Sequence, residues 1–272
     1  MADVTETDNR PNTFAAITIA CVAAMLSTML GIGGGVVMVP LLTLFARMPI
    51  KRTAGTSLAV IFLVICVGVI AQSVKALDDV HWDVSLVLAA GAFSGTFIGR
   101  WLNGKLPDKL FRYAFCAVLV IVGIRLLGVL PATEPLLSGE ADLRNAGHVA
   151  YLLGVGLFAG IVAALFGLGG GVVVVPALAL AFVYFQQHFT ATRATSLGMI
   201  LPTSLIGTIL HWRAGNVDLK LVARMAPFAL VFAVLGVLLA YAVPSATLKV
   251  IFGALLLGAS LRLALKKQSK KS

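Results

Sequence analysis

The chain has 272 residues, of which 60% are apolar and only 12% are charged, and its mean hydropathy is +1.01. A soluble domain carries about twice that charged fraction, so the composition excludes an ordinary globular protein and indicates a polytopic membrane protein. The net charge of +10 does not indicate nucleic-acid binding, because the basic residues lie in short loops between apolar runs.

Eight apolar segments follow one another, and most have the roughly 20 residues that a helix needs to cross a bilayer. A loop rich in proline, glycine and acidic residues at 131–147 divides them into two repeats, residues 13–130 and 148–265. We expect residues 1–12 to be a cytoplasmic tail and residues 266–272 to be a basic cytoplasmic tail. Because residues 1–12 lack the positive start of a cleaved signal peptide, we expect the first apolar segment to be retained. The predicted all-α fold has segments at 13–46, 54–74, 84–104, 110–130, 148–185, 194–212, 220–242 and 246–265.

The first and fifth segments contain the same glycine-rich pattern. Gly31–Gly35 leads to Pro40, and 136 positions later Gly167–Gly171 leads to Pro176. Glycine admits backbone conformations that break a helix, and lipid cannot hydrogen-bond the backbone that a break exposes. Breaks at matching places in two halves of a membrane protein indicate the binding site of a transporter.

Each break would expose backbone N–H groups at the start of the following helical arm, where their partial positive charge suits an anion. The alternative is that the glycines only allow close packing between helices. The candidate binding residues are Gly33, Gly34, Gly35 and Val36 in the first half and Gly169, Gly170, Gly171 and Val172 in the second.

The second and sixth segments each begin with a repeated hydroxyl pair. Thr56 and Ser57 recur as Thr195 and Ser196, at an offset of 139. These hydroxyls are either helix N-caps or ligand donors that converge from both halves, and we include all four among the candidate binding residues.

Two further polar residues correspond under the same offset, Gln72 and His211, near the ends of these segments. The unperturbed pKa of a histidine side chain lies near neutrality, so His211 could relay protons, but its neighbours Trp212 and Arg213 favour a place in the interfacial belt. Acidic residues are absent from the apolar interiors, which favours an anion over a cation as substrate.

The basic residues indicate how the segments cross the membrane. If every segment crossed once, 12 of the 21 basic residues would lie inside and 9 outside. If the first and fifth segments instead fold back at their glycines, the numbers become 16 and 5, in better agreement with the positive-inside rule. The second arrangement makes the halves inverted repeats, and it is the one we predict.

Enzyme signals are weak in this sequence. No zinc-protease, Cys-x-x-Cys or phosphate-loop motif occurs, and Cys21, Cys66 and Cys116 are dispersed in apolar runs. An odd, scattered set of cysteines does not indicate a disulfide framework or a metal site. We therefore expect no enzymatic activity and no cofactor.

The duplicated Gly-x-Gly-Gly-Gly-x-x-x-x-Pro pattern, each copy followed by Thr-Ser-Leu, resembles the TauE/SafE family of sulfite-exporter-like permeases over about residues 13–265. The resemblance implies a multi-pass transporter of the cytoplasmic (inner) membrane, often for sulfite, sulfonates or related anions. It carries the family's glycine motif to Gly31–Gly35 and Gly167–Gly171, and its Thr-Ser element to Thr56, Ser57, Thr195 and Ser196.

We therefore expect a secondary transporter that exports sulfite or an organosulfonate by alternating access between the two halves. Its partners would be the small sulfur anion and membrane lipid. An importer of another small anion and an anion channel are the alternatives. Proton coupling and homo-oligomerisation stay open at this point, as does the choice between a re-entrant hairpin and two full spans for each broken segment.

Overall fold

The computed structural model describes a protein built from helices. It describes residues 13–45, 48, 50–102, 116–117, 120, 123–124, 127, 137, 139 and 141–265. The helices are α1 Thr13–Leu30, α2 Gly35–Phe45, α3 Ile50–Lys75, α4 Trp82–Leu102, α5 Ala146–Phe166, α6 Gly171–Ala181, α7 Val183–Gln187, α8 Phe189–Arg213, α9 Leu219–Ala242 and α10 Ser245–Leu265, with a 3-10 turn at Leu77–Asp79.

Six helices in the described part of the chain are long and apolar enough to cross a membrane, namely α1, α3, α4, α5, α8 and α9. They confirm the predicted all-α polytopic fold. Most of the predicted fourth segment, 110–130, and both predicted tails, 1–12 and 266–272, lie outside the described residues.

The first predicted segment folds back on itself. A Cβ atom built on Gly34 would lie 2.9 Å from the carbonyl oxygen of Ala23, although these residues would be about 16 Å apart along a continuous helix. The fifth segment does the same, since a Cβ atom on Gly170 would lie 3.3 Å from the Ala159 carbonyl oxygen. The pairs α1–α2 and α5–α6 are therefore two helical hairpins at equivalent places in the chain.

Each hairpin packs on a helix of the other half. The hydroxyl of Thr28 in α1 donates to the carbonyl of Ala233 in α9 at 2.8 Å. The second hairpin packs on α4 of the first half through its helix α5. Glycines of α4 and of α5 lie directly against main-chain carbonyls of the facing helix. Small residues allow this close approach between membrane helices. The glycines are Gly91, Gly95 and Gly99 of α4 and Gly156 and Gly160 of α5.

The helices α3 and α8, which carry the repeated Thr-Ser pairs, lie side by side and run antiparallel. A Cβ atom on Gly55, near the start of α3, would clash with the backbone of Asn216, just beyond the end of α8. Further along, a Cβ atom on Gly207 would lie 3.1 Å from the side chain of Leu58. The start of α3 is therefore next to the end of α8.

This packing predicts the membrane faces at which the two helices end. We expect Lys75→Cys, at the end of α3, and Arg213→Cys, at the end of α8, to react with an impermeant maleimide from opposite faces. Both side chains are exposed. The measurement is labelling of right-side-out and inverted vesicles, in a background where Cys21, Cys66 and Cys116 are replaced by alanine.

A cysteine at Lys220, in the first turn of α9, serves as the matched control. It follows Arg213 after a short loop, so both positions should be labelled from the same face. Labelling of Lys75→Cys and Arg213→Cys from one common face would contradict the antiparallel arrangement of α3 and α8.

Candidate functional site: two glycine breaks in mutual contact

Both glycine clusters interrupt the helices, as the sequence predicts. The helix α1 ends at Leu30 and α2 begins at Gly35, while α5 ends at Phe166 and α6 begins at Gly171. Six glycines between these ends have a positive φ, a conformation that costs glycine little and other residues much more. Their φ angles are 71° at Gly31, 81° at Gly33, 65° at Gly34, 72° at Gly167, 82° at Gly169 and 85° at Gly170.

The two breaks pack directly against one another, main chain to main chain. A Cβ atom on Gly35 would clash with the carbonyl oxygen of Gly167, and one on Gly171 would clash with that of Gly31. At the centre, a Cβ atom on Gly33 would lie 3.2 Å from the Cα of Gly169. These contacts are reciprocal, as in a pair of elements related by a two-fold axis. In this conformation there is no room for even a methyl group between the breaks.

Several buried residues at the breaks have backbone N–H groups that find no hydrogen-bond acceptor in the described part of the chain. Some N–H groups of the first break are paired: those of Gly31 and Ile32 donate to the Ser27 carbonyl, and that of Gly35 donates to the Gly33 carbonyl at 2.7 Å. Buried amides of this kind are uncommon in proteins, and at the start of a helix they favour an anion. Among the described residues, no hydrogen-bond acceptor pairs with the N–H groups of Gly33, Gly34, Val36, Gly169, Gly170 or Val172.

The predicted serines connect each Thr-Ser helix to the opposite break. Ser196 Oγ in α8 donates to the Gly31 carbonyl at 2.8 Å, and Ser57 Oγ in α3 lies 3.5 Å from the Gly167 carbonyl. Both side chains are fully buried. The two contacts are equivalent in the repeats, and each joins the two halves of the chain.

The predicted threonines accept hydrogen bonds from loops of the opposite half. Thr56 Oγ1 accepts from the backbone N–H of Asp218 at 3.1 Å, and Thr195 Oγ1 accepts from that of His81 at 3.2 Å. Because α3 begins at Ile50 and α8 at Phe189, neither threonine is an N-cap of its own helix. The structure thus places the twelve predicted residues along one interface between the halves, with the two threonines towards opposite ends of the α3–α8 pair.

Arg193 is a residue that the sequence analysis does not include among the candidate binding residues. It lies inside α8 with no exposed surface, and a Cβ atom on Gly31 would lie 2.7 Å from its Cα. Its Nη1 donates to the carbonyl of Thr28 at 3.4 Å, and its guanidinium lies 4.9 Å from the centre of the Tyr241 ring. The sequence signal for it is slight: a single basic residue just before an uncharged helical run.

A polar chain continues from the Tyr241 ring. The Tyr241 hydroxyl donates to the Asp79 carboxylate at 2.6 Å and accepts from the side-chain amide of Gln72. The repeat equivalent of Gln72, His211, is also buried, and its Nε2 lies 3.4 Å from the Ala164 carbonyl. His211 therefore packs inside the bundle, two residues before the end of α8.

A helical bundle whose described part has six helices able to cross a membrane, closed around two glycine breaks, defines a polytopic membrane protein. The model of the Sulfite exporter TauE/SafE family matches residues 2–126 and 152–272, and the chain belongs to this family. Its relatives are membrane transporters and not enzymes, so the predicted class of protein is confirmed.

Three relatives carry the name "probable membrane transporter protein". YunE of Bacillus subtilis is 33% identical over 111 residues, which are 41% of this chain and 40% of YunE. YdhB of the same organism is 25% identical over 222 residues, 81% and 87% of the two chains. A protein of Methanocaldococcus jannaschii is 24% identical over 213 residues, 74% and 73% of the two chains. No solved structure matches the chain.

The contact between the breaks predicts the effect of single methyl groups. We expect Gly35→Ala and Gly171→Ala each to lower the free energy of unfolding by about 1–3 kcal/mol, because the added Cβ would overlap the opposite main chain. Neither residue has a positive φ, so the effect would report packing alone. The measurement is the thermal unfolding midpoint of the purified protein in detergent.

Gly154→Ala is the matched control, since Gly154 lies within α5 and its Cβ would meet nothing within 4 Å. Alanine there should leave the midpoint unchanged or raise it, because alanine is the better helix former. Wild-type midpoints for both Gly35→Ala and Gly171→Ala would contradict the main-chain contact.

The serine contacts predict unequal effects. We expect Ser196→Ala to cost about 1–3 kcal/mol of stability, because the buried Gly31 carbonyl would lose its donor. Ser57→Ala should cost less, since a separation of 3.5 Å makes only a weak hydrogen bond. Thermal unfolding midpoints compare the two variants.

Ser204→Ala controls for the loss of any buried serine hydroxyl in α8. Ser204 Oγ donates to the Leu201 carbonyl of its own helix at 3.0 Å, so its removal breaks no contact between the halves. A midpoint for Ser196→Ala as high as that for Ser204→Ala would show that the Gly31 contact contributes nothing.

Proposed function

We propose that this protein is a secondary transporter that exports a small anion, sulfite or an organosulfonate, by alternating access across the cytoplasmic membrane. The observation that carries the proposal is the pair of mutually buried glycine breaks, each with backbone N–H groups that no acceptor among the described residues pairs. Main-chain breaks at matching positions of two repeats form the substrate sites of transporters with repeated architecture. The twelve predicted residues around the breaks are the proposed binding site.

The chemistry of the breaks favours an anion. The helices α2 and α6 begin at the breaks, and the N-terminus of a helix carries a partial positive charge. Sulfite and sulfonate groups present several oxygens that accept hydrogen bonds from such N–H groups. Within the six described helices able to cross a membrane, the only acidic residue is Asp83, in the first turn of α4, which favours an anion over a cation as substrate.

Two equivalent contacts support alternating access between inverted halves. Thr56 binds the loop before α9, and Thr195 binds the loop before α4. Because α3 and α8 run antiparallel, these contacts lie at opposite ends of the helix pair. One contact would open while the other stays closed, and the breaks would separate to admit the anion. The ion pair of Arg52 with Asp218, at 3.2 Å, adds to the first contact.

The close contact between the breaks favours a carrier over a channel, because opening a path between them requires the two halves to move apart. The membrane potential favours export, since an interior-negative potential drives an anion outward by about 2.3 kcal/mol per charge per 100 mV.

The experiment is an anion flux measurement with purified protein in liposomes. Vesicles loaded with sulfite, methanesulfonate, sulfate, phosphate or acetate are diluted into buffer that lacks the loaded anion. A potassium gradient sets an interior-negative membrane potential. We expect saturable efflux of sulfite or methanesulfonate that protein-free vesicles do not show. If none of the five anions leaves faster than from protein-free vesicles, the proposed function is wrong.

A further inference from the structure

Arg193 is a cation buried within the helical bundle, and no anionic side chain in the described part of the chain bonds to it. Its side chain has no exposed surface, and in the described part of the chain it takes part in no ion pair. A charge in the membrane interior is expensive, and buried charges in proteins are normally paired. The position therefore requires a physical explanation.

The contacts that Arg193 makes engage only part of its guanidinium. Nη1 donates to the carbonyl of Thr28, in the last turn of α1, where the helix dipole is negative. The Tyr241 ring lies at 4.9 Å, a distance at which a cation is attracted to the ring face. Both contacts favour the charge, but they leave Nε and Nη2 without a hydrogen-bond partner among the described residues.

These two nitrogens lie along the same edge of the guanidinium plane. An arginine edge with two parallel N–H donors matches an anion that presents two oxygens on one atom. A carboxylate in the protein could fill that edge, but the nearby Asp79 accepts from the Tyr241 hydroxyl instead. Among the described residues, this edge of the guanidinium therefore has no hydrogen-bond acceptor.

Packing of the glycine break does not require arginine at this position. The repeat equivalent of Arg193 is Ala54, whose Cα lies 2.7 Å from a Cβ built on Gly167, the same separation as between Arg193 Cα and a Cβ on Gly31. The same contact is thus made by alanine in one half and by arginine in the other. What Arg193 adds is a charge and two free donors.

We propose that Arg193 binds the transported anion directly, with Nε–H and Nη2–H donating to two of its oxygens. This inference rests on the proposed function and defines the substrate class more closely: an oxyanion with two or more oxygens on one atom, such as sulfite or a sulfonate, and not a halide. The anion binds on the Thr28 side of the breaks, the side on which the guanidinium lies.

The test compares sulfite binding to wild-type protein, Arg193→Gln and Arg193→Lys by isothermal titration in detergent. We expect Arg193→Gln to weaken sulfite binding about 10- to 100-fold, because two charge-assisted hydrogen bonds are lost. Arg193→Lys keeps the charge but not the two-donor edge, so its affinity should lie between the two. Arg213→Gln, at the exposed end of the same helix, is the matched control and should bind sulfite like the wild type.

A structural role for Arg193 predicts a different result. If its charge only balances Asp79, the double variant Arg193→Gln with Asp79→Asn should regain both the thermal midpoint and the sulfite affinity of the wild type. If Arg193 binds the anion, the double variant should fold but still bind sulfite weakly. This variant also keeps the test decisive if Arg193→Gln alone does not fold.

The outcomes separate the two proposals. Wild-type sulfite affinity in Arg193→Gln, or in the double variant, would overturn the role of Arg193 and leave anion transport standing. Wild-type protein that binds neither sulfite nor methanesulfonate, and moves no anion in the flux measurement, would overturn both proposals. Chloride should compete with sulfite only weakly, because a single ion cannot place a separate acceptor atom at each of the two donors. If chloride displaced sulfite at equal concentration, the proposed substrate class would be wrong.

Discussion

Backbone groups inside a bilayer have no water to bond, so any interruption of a helix there must be buried by other parts of the protein. In this molecule each glycine break is buried by the other break. The contacts of Gly35 with Gly167 and of Gly171 with Gly31 leave no space for a side chain. This explains why positions 35 and 171 are glycine although their φ angles are open to other residues. Burial in the first half thus depends on the presence of the second.

This mutual burial extends outward from the breaks. The hairpin α1–α2 packs on α9 of the second half, and α5 packs on α4 of the first. The buried hydroxyls of Ser57 and Ser196 reach the opposite break, and the hydroxyl of Thr28 reaches α9. Neither half has a complete core without the other. Any motion that separates the two glycine breaks must disrupt these contacts between the halves. The backbone hydrogen bonds within the helices of each hairpin can stay intact.

Some of this arrangement could be predicted from sequence because its causes are local. The apolar length of each segment predicts a membrane helix, and three consecutive glycines predict its interruption. The fold-back of the first and fifth segments follows from their length and from the charges of the loops, as the contact of Gly34 with Ala23 confirms. The Thr-Ser pairs could be identified as a repeated element, but their partners could not. Thr56 and Ser57 bind groups more than one hundred positions away, and no local pattern encodes such a pairing.

Arg193 illustrates why the remainder was out of reach. A lone arginine next to an apolar run is usually a residue of the membrane surface. Only the packing of α8 against α1 and α9, which brings Thr28 and Tyr241 to the guanidinium, places it in the interior. The two repeats also differ in sequence at these positions. The equivalent of Arg193 is Ala54, and the equivalent of His211 is Gln72. In the proposed transport cycle, symmetric main-chain breaks would serve a movement at both membrane faces in turn, whereas the single anion would need one compensating charge. A second buried cation at position 54 would add a desolvation cost with no second anion to offset it, so the proposal accounts for arginine in one repeat and alanine in the other.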